Sequence, residues 1–572
     1  MRYTLAELRS ARAIWLLEVD ALGRVWRWAS EPCEVVDSKL GKTYQYRGGL
    51  PRVEVLTVVS PGESVSVPQP ITLELSWPEV AATVAKVATL RGSASLSWWV
   101  PGTDYRRRIV VVAGEVTSSA YDYTDAPAEI TITPYVGVET ALVPDPSLTA
   151  SAEAWPINGG ANAGGIPAKT IGQTYPIVFG SPGQVSVTES ASAIFGALSA
   201  YPGSPALAVE SSLTIAASGD RIYSAATLLI CAGRVEADAV MVLYPSTAGS
   251  GDGWLAERFV INTQADALGR TVSVVDVRTS TAGVDLEQAD QLYVSWCDAY
   301  TTPTIGVIGD DNQAAAGAGG VIEWMLRRSS VPYDGTAWMG LRGYLDGWRV
   351  DTYIDEPVGP WTWLAEVLLP HLPVSAIPLG GGLSPVLWLP DARRDQARDH
   401  LRVGHDASRS SAVAVRTMGE STVSAALALD ADTGAARATV VTQPEPDVSA
   451  AIGASAWARA ARDLTLADGS ETIDVGWTAG RGTASAAAAW RTALALGWRE
   501  VSVDVGQERG WLALGDPVLI TDTDVGLSST IAQVAGITYR DTGVLSLLLV
   551  VWGVGALSSS VVPLDDTPEE IQ

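Results

Sequence analysis

The run from Ala484 to Trp552 constrains this chain most, because one helical period there gives way to repeated strand periods. Trp490, Leu494 and Trp498 recur at i, i+4 and i+8 in an alanine-rich segment, which predicts one helix face. On that face Ala493 and Gly497 would let a neighbour approach closely. Glu500 to Val505 then alternates polar and apolar residues at strand period. Trp511 to Ile520 repeats the pattern around Gly515-Asp516-Pro517. Two more strands are expected near Ser529–Tyr539 and Val544–Trp552, with Arg540 to Gly543 as the turn between them. One helix feeding four short antiparallel strands predicts a small closed barrel.

Other segments follow the same logic. Leu5–Ala13 predicts a short helix, and Ile14–Asp20 with Arg24–Ala29 predict a hairpin across Ala21-Leu22-Gly23. Further strands are expected at Val53–Val59, Ile71–Leu75, Ser95–Val100, Arg108–Val116 and Glu129–Tyr135. Ser76-Trp77-Pro78-Glu79 has capping-box form ahead of the stripe Val80, Val84, Val87. Residues 1–150 therefore read as an N-terminal β-domain. Asn158–Pro167 and Gly309–Gly320 read as linkers. Between them, residues 168–308 read as an inserted β-domain, with strands at Leu228–Cys231, Ala239–Tyr244, Val272–Val277 and Leu292–Trp296. Arg234–Asp238 joins the first two.

Residues 321–410 read as an α/β domain. Val321–Arg328 is expected to be helical, Val331–Gly335 a turn, and Tyr344–Ile354 a turn into a strand. In Pro360–Pro370 the stripe Trp361, Leu364, Ala365, Leu368, Leu369 predicts a helix that Pro370 ends. Gly380-Gly381-Gly382 is a turn before a strand at Val386–Leu389. Residues 411–572 form the C-terminal domain. The fold class is mostly β with an α/β part, multi-domain, with β-barrel or sandwich domains.

Composition narrows the function. The chain has 572 residues, enough for three or four domains, and its 47% hydrophobic content supports large cores. A net charge of −26 argues against nucleic-acid binding through phosphate contacts, and suits a wall that DNA slides past. Cys33, Cys231 and Cys297 stand far apart, without a C-x-x-C pair, and read as free thiols of a protein made in a reducing cytosol. Asp310-Asp311 has no spaced partner carboxylates for a metal. The start Met1-Arg2-Tyr3-Thr4-Leu5 has no basic-plus-apolar signal region, and no apolar run reaches the length of a membrane span.

Chemistry-bearing motifs are sparse. His371, His400 and His405 are the three histidines; the last two stand five apart with no glutamate between them, unlike a metalloprotease helix. No G-x-S-x-G elbow stands between a strand and a helix, and no P-loop or dinucleotide fingerprint appears. The 21 tryptophans and 64 acidic residues keep a glycosidase in view. However, Trp98-Trp99, Trp361/Trp363 and Trp490/Trp498 fall on strands or helix stripes, where packing explains them better. No catalytic, cofactor or metal residue is assigned, and the expectation is a non-enzyme that binds neither metal nor nucleotide.

Several phrases resemble bacteriophage tail-tip proteins. The helix flanked by Arg491 and Arg499, followed by a strand and Leu512 to Ile520 with its Gly-Asp turn, resembles the C-terminal domain of phage tail hub proteins. The N-terminal hairpin, Tyr44-Gln45-Tyr46-Arg47-Gly48-Gly49-Leu50-Pro51 and the strand Ile109–Glu115 look like the first domain of siphophage tail-tip proteins. The most specific phrase is Ile171-Gly172-Gln173-Thr174-Tyr175-Pro176-Ile177-Val178-Phe179-Gly180, similar to a segment of phage tail and baseplate proteins. The Pro360-Trp361-Thr362-Trp363-Leu364 helix is similar to a unit in the α/β middle of hub proteins. Together these cover about two thirds of the chain, in pieces.

That resemblance implies a baseplate hub of a siphovirus-like or gene-transfer-agent-like particle, made in the host cytoplasm and carried at the virion tail tip. It implies a homotrimer joining a sixfold tail tube to a threefold tip. Tail tube and distal tail proteins would lie on one side and tip fibre or central spike proteins on the other, with DNA passing through the channel unbound. The alternative is a receptor- or carbohydrate-binding tail fibre protein, which would carry coiled-coil heptads or repeats; none is visible.

Overall fold

The computed structural model describes residues 3–21, 23–50, 53–66, 69–75, 92–120, 128–134, 137–157, 163–182, 193–195, 204–215, 221–237, 239–245, 253–277, 292–296, 315–411, 414–416, 436–441, 459–464, 471–474, 483, 486–487, 490, 493–494 and 497–552. The fold is mostly β, built from three eight-stranded sheets, two two-stranded sheets and one three-stranded sheet among the described residues.

The first sheet runs, in spatial order, Cys33–Asp37, Lys42–Gly48, Arg24–Ala29, Ile14–Ala21, Ser93–Trp99, Ile109–Ala120, Ala128–Pro134, Ile71–Leu75. The expected hairpin is present, with Leu16 opposite Ala29 and Ala21 opposite Arg24. Its chain entry is the helix Leu5–Ser10, three residues shorter than expected. Thr4 and Glu7 form a reciprocal capping box at its start.

The C-terminal sheet contains four antiparallel strands, Trp498–Gly506, Pro517–Asp522, Leu527–Tyr539 and Val544–Trp552, the second starting at Pro517 because residues 511–516, expected as strand, form a turn. Its two ends, His400–Arg402 and Ala407–Arg409, are consecutive in the chain and bridged at Val403 and Ala407, so the sheet curls into a barrel. One strand comes from the other end of the sequence. Val55–Val58 pairs with Leu527–Tyr539 in this barrel, with Val58 opposite Gly536, and takes no part in the first sheet. Strand propensity marks such a segment but says nothing about its partner.

These two bodies share one apolar core. Trp15, Leu17, Leu96 and Trp98 of the first sheet pack with Val501, Val503, Val505, Leu545, Leu547 and Leu549 of the barrel. Gln507 clamps the seam: its amide donates to the carbonyls of Leu8 and Ala11 (both 2.7 Å) and accepts from the Ala13 N–H (3.1 Å). The Trp98 indole donates to the Arg540 carbonyl (3.2 Å). The near-continuous apolar run Val544–Trp552 follows from burial on both faces, one in this core and the other, through Val550 and Trp552, in a tryptophan cluster.

The alanine-rich helix differs from expectation at its end. Trp490 and Leu494 are helical, but Trp498 opens the following strand. Gly497 at φ +75 takes the left-handed conformation that stops the helix, and its N–H bonds the carbonyls of Ala493 (3.1 Å) and Leu494 (3.2 Å).

The middle of the chain holds the third large sheet and a helical unit. Arg221–Ala232 and Ala239–Pro245 are consecutive but do not pair with each other; they are ordered through Thr271–Asp276 and Gly253–Ala265. The helix expected at Val321 begins at Ala318, so the last three residues of the glycine-rich segment are its first turn. A second helix, Gly335–Leu345, follows the expected Val331–Gly335 turn, where no element is expected, with Asp334 accepting from the Ala337 N–H (3.1 Å). The glycines allow these helices to touch: a side chain on Gly319 would stand 2.7 Å from the Arg342 carbonyl oxygen. The Pro360 helix is helical for Pro360–Trp363, then makes a π-helical turn over Leu364–Leu368 and a 3-10 turn over Leu369–His371, so Pro370 sits inside the last turn. The three glycines at 380–382 close a hairpin between Val374–Leu379 and Gly382–Leu387, whose second strand starts four residues and ends two residues earlier than expected.

The expected stripe at Val80, Val84 and Val87 lies outside the described residues, as do Asp310-Asp311 and Cys297.

Candidate functional site

The phrase Ile171–Gly180 threads between segments far apart in the chain. Gly172 turns at φ +87, and the N–H of Tyr175 bonds the Leu148 carbonyl (2.8 Å). The Tyr175 ring is fully buried, so its hydroxyl needs partners. It has three: the Trp155 indole N–H (2.8 Å) and the Arg270 guanidinium (2.7 Å) donate to it, and it donates to Asp266 Oδ2 (3.1 Å). Asp266 also accepts from Arg270 Nε (2.6 Å) and from the N–H groups of Leu268 (2.9 Å) and Arg270 (3.0 Å). Arg270 spends its remaining donors on the carbonyls of Ser147 (2.7 Å) and Thr149 (3.2 Å).

Burial pushes the Tyr175 hydroxyl up to about 12, so it stays protonated. At Asp266 burial opposes the charge, but the Arg270 N–H and guanidinium and the Tyr175 hydroxyl outweigh it and hold the carboxyl below its ordinary value. A charge pair with all its lone pairs engaged is a fixed structural joint.

The strand itself is Ile177–Phe179, fully buried and antiparallel to Thr352–Ile354. Phe179 meets Trp324 edge-on (5.3 Å between centroids) and Trp363 (6.3 Å). Gly180 closes the phrase at φ +61, where a side-chain carbon would lie 1.8 Å from the Val350 carbonyl oxygen; no other residue fits. Just beyond, the Ser181 N–H (2.7 Å) and Arg349 Nε (2.9 Å) both donate to the buried Asp351, and the Arg349 N–H donates to Thr483 (2.8 Å). The phrase thus braces residues 147–155, 266–270, 324, 349–354 and 483. Its apolar strand was legible. Trp155, Asp266 and Arg270 were not, because nothing local ties them to Tyr175.

A second junction is apolar. Trp552 lies 5.7 Å from Trp490, 5.9 Å from Trp498 and 6.3 Å from Trp388, so the Trp490/Trp498 stripe does converge, though across a helix and a strand. Trp361 and Trp363 are buried in the central core, and Trp98 and Trp99 point to opposite faces of the first sheet.

The histidines stand in separate settings. His400 Nε2 lies 2.9 Å from Thr521 Oγ1, His405 is exposed in the following turn, and His371 ends the 3-10 turn. Beside them Arg509 pairs Asp399 (2.8 Å), Asp406 (3.0 Å) and Glu508 (3.3 Å), so these carboxylates serve an ion network. Among the described residues no group of three or more His, Cys, Asp or Glu is placed to hold a metal ion. Burial raises the Cys33 thiol to about 11 and Cys231 to about 12, away from thiolate reactivity. No described helix is long and apolar enough to cross a membrane.

No protein-family model matches the sequence, and no curated protein matches it. Solved structures similar to the chain are phage tail and baseplate proteins and a gene-transfer-agent virion. The 43 kDa tail protein of prophage MuSo2 from Shewanella oneidensis is 11% identical with a TM-score of 0.30, over 95% of this chain and 97% of that one. A chain of a native gene transfer agent virion is 13% identical with a TM-score of 0.36, over 71% and 91%. A chain of the p2 virion baseplate in its activated conformation is 12% identical with a TM-score of 0.17, over 71% and 96%.

Proposed function

We propose that this chain is a non-enzymatic structural protein of a tailed phage or phage-derived particle, the baseplate hub at the tail tip. Three copies form a ring that joins the sixfold tail tube to a threefold tip and lines part of the DNA exit. The observation that carries the reading is the anatomy of the tail-like phrase at 171–180. Its aromatic hydroxyl and both terminal glycines serve a buried brace between distant segments, as a rigid assembly part requires. The proposed units are 1–150, 168–308, 321–410 and 411–572, with Val55–Val58, His400–Arg402 and Ala407–Arg409 contributing strands to the barrel of the last.

The charge supports the same role. Three chains at −26 each place strong negative potential around the axis, which repels DNA from the wall. Apolar contact between copies offsets their repulsion, and added salt favours assembly by screening it. The test is electron microscopy of tails carrying a tagged chain. Density for the tag at the tip, beneath the tube, is expected; density along side fibres would replace this reading with a receptor-binding one.

A further inference from the structure

The strand Leu527–Tyr539 is thirteen residues long, and on one side two segments share its edge. Pro517–Asp522 pairs with it only as far as Gln533. The chain then leaves through Asp516, whose carbonyl accepts from the Val534 N–H (3.0 Å), and Gly515, whose N–H bonds the Val534 carbonyl (2.7 Å). At the next residue a segment from the other end of the sequence takes over. The Val59 N–H bonds the Ala535 carbonyl (2.9 Å), and Val58, Thr57, Leu56 and Val55 stand opposite Gly536, Ile537, Thr538 and Tyr539.

This segment is seated at both ends. The Trp15 indole donates to the Val53 carbonyl (2.9 Å), and Arg540 pairs with Glu54. Past the strand the chain turns at Gly62 (φ +83) and reaches the hairpin strand Val374–Leu379. There the Ser66 N–H bonds the Ala376 carbonyl and the Ala376 N–H bonds the Ser64 carbonyl (both 2.8 Å), while Ser66 Oγ donates back to the Val58 carbonyl (3.0 Å). Val53 and Val55 enter the core shared by the first sheet and the barrel, and Val59 enters the tryptophan cluster. Opposite them Ala535, Ile537 and Tyr539 are buried. The approach is close at Gly536, where a side-chain carbon would stand 3.3 Å from the Thr57 carbonyl oxygen and 3.1 Å from Leu548 Cβ. Removing the segment would strip these residues of their strand partner on that side and uncover their apolar surface.

We infer that residues 53–66 are a closing strap, and that the edge Ala535–Tyr539 is a strand-binding site that this segment alone fills. Backbone pairing supplies the binding, and the valines that enter two different cores supply the selectivity, as in strand addition to a sheet edge. The C-terminal barrel therefore stays open along this edge until the N-terminal part of the same chain is in place. A chain whose strap is misplaced carries an open apolar edge, which folded proteins keep covered.

The test uses the full chain. Thr57→Pro removes the N–H that the alternation from Val59 and Ala535 aims at Ile537. Hydrogen exchange at Ile537 and Tyr539 should rise at least about tenfold, whereas Leu56→Ser, on the exposed side of the same strand, should leave it unchanged. A synthetic peptide of residues 53–66 should bind the Thr57→Pro chain and restore slow exchange. It should not bind the wild type, whose edge is filled, nor rescue Gly536→Val, whose added side chain meets the strap. If Thr57→Pro does not fold, it is refolded from urea with this peptide or a scrambled one; recovery with the native order alone supports the strap, and equal recovery overturns it. Wild-type exchange in Thr57→Pro, equal peptide binding to wild type and variant, or a folded variant that the peptide does not bind would each overturn the inference.

Discussion

The Tyr175 junction and the Trp552 junction both pin distant segments around buried aromatic rings, but by opposite physics. Around Tyr175 stability rests on every polar atom keeping its partner, because the charged pair Asp266–Arg270 is enclosed with it. Around Trp552 it rests on ring area and close packing against Trp388, Trp490 and Trp498. A polar joint fixes geometry and tolerates no missing partner; an apolar joint supplies more energy and tolerates changes of protonation.

The largest expected effect breaks the apolar side. Trp490→Ala should destabilise the full chain by about 3–5 kcal/mol, from lost transfer energy and the cavity left behind. Because the barrel takes Val55–Val58 from the N-terminal part, the measurement is denaturant unfolding of the whole protein followed by barrel tryptophan fluorescence. An unchanged midpoint would mean the helix does not pack on the barrel.

On the polar side, Tyr175→Phe keeps the ring and deletes the hydroxyl, stranding the Trp155 N–H and one Arg270 donor. The expected loss is about 1–3 kcal/mol. Hydrogen exchange should show it as faster opening at 147–155 and 266–270, with the barrel strands unaffected. Exchange that rises equally in both regions would show that the two junctions are one cooperative unit.

A pH series sharpens the contrast further. The Asp266 carboxyl lies below its ordinary value in the fold, as does Glu139, which is buried against charge but bonded by Ser329, Ser330 and the Trp361 N–H. A depressed folded pKa contributes stability above the unfolded value of about 4, lost as pH falls through the folded value. The middle of the chain should therefore weaken in acid. Asp266→Asn should flatten that slope, whereas the Trp490→Ala penalty should be the same at neutral and acid pH. An acid slope untouched by Asp266→Asn would assign the loss to other carboxylates.

What was legible in the sequence follows from the range of each interaction. Ile71–Leu75 and Val544–Trp552 fall where period and apolar content place them, because strand burial is written in consecutive residues. The helix Gly335–Leu345 was hidden by Gly335, Gly340 and Gly343, which lower helix propensity; its packing against Ala318–Arg328 overrides them. Trp498 fits a helical stripe by spacing, yet Gly497 stops the helix one residue before it. The pairing of Val55–Val58 with Leu527–Tyr539 and the partners of Tyr175 span the chain, and a local pattern carries no record of them.

Copy number in the assembled particle tests the proposed threefold hub most directly. Quantitative mass spectrometry of purified tails, or averaged images of the tip, should give three copies of this chain per tail, around a lumen lined by acidic side chains. Six copies per tail, or a lumen lined by lysine and arginine, would contradict it.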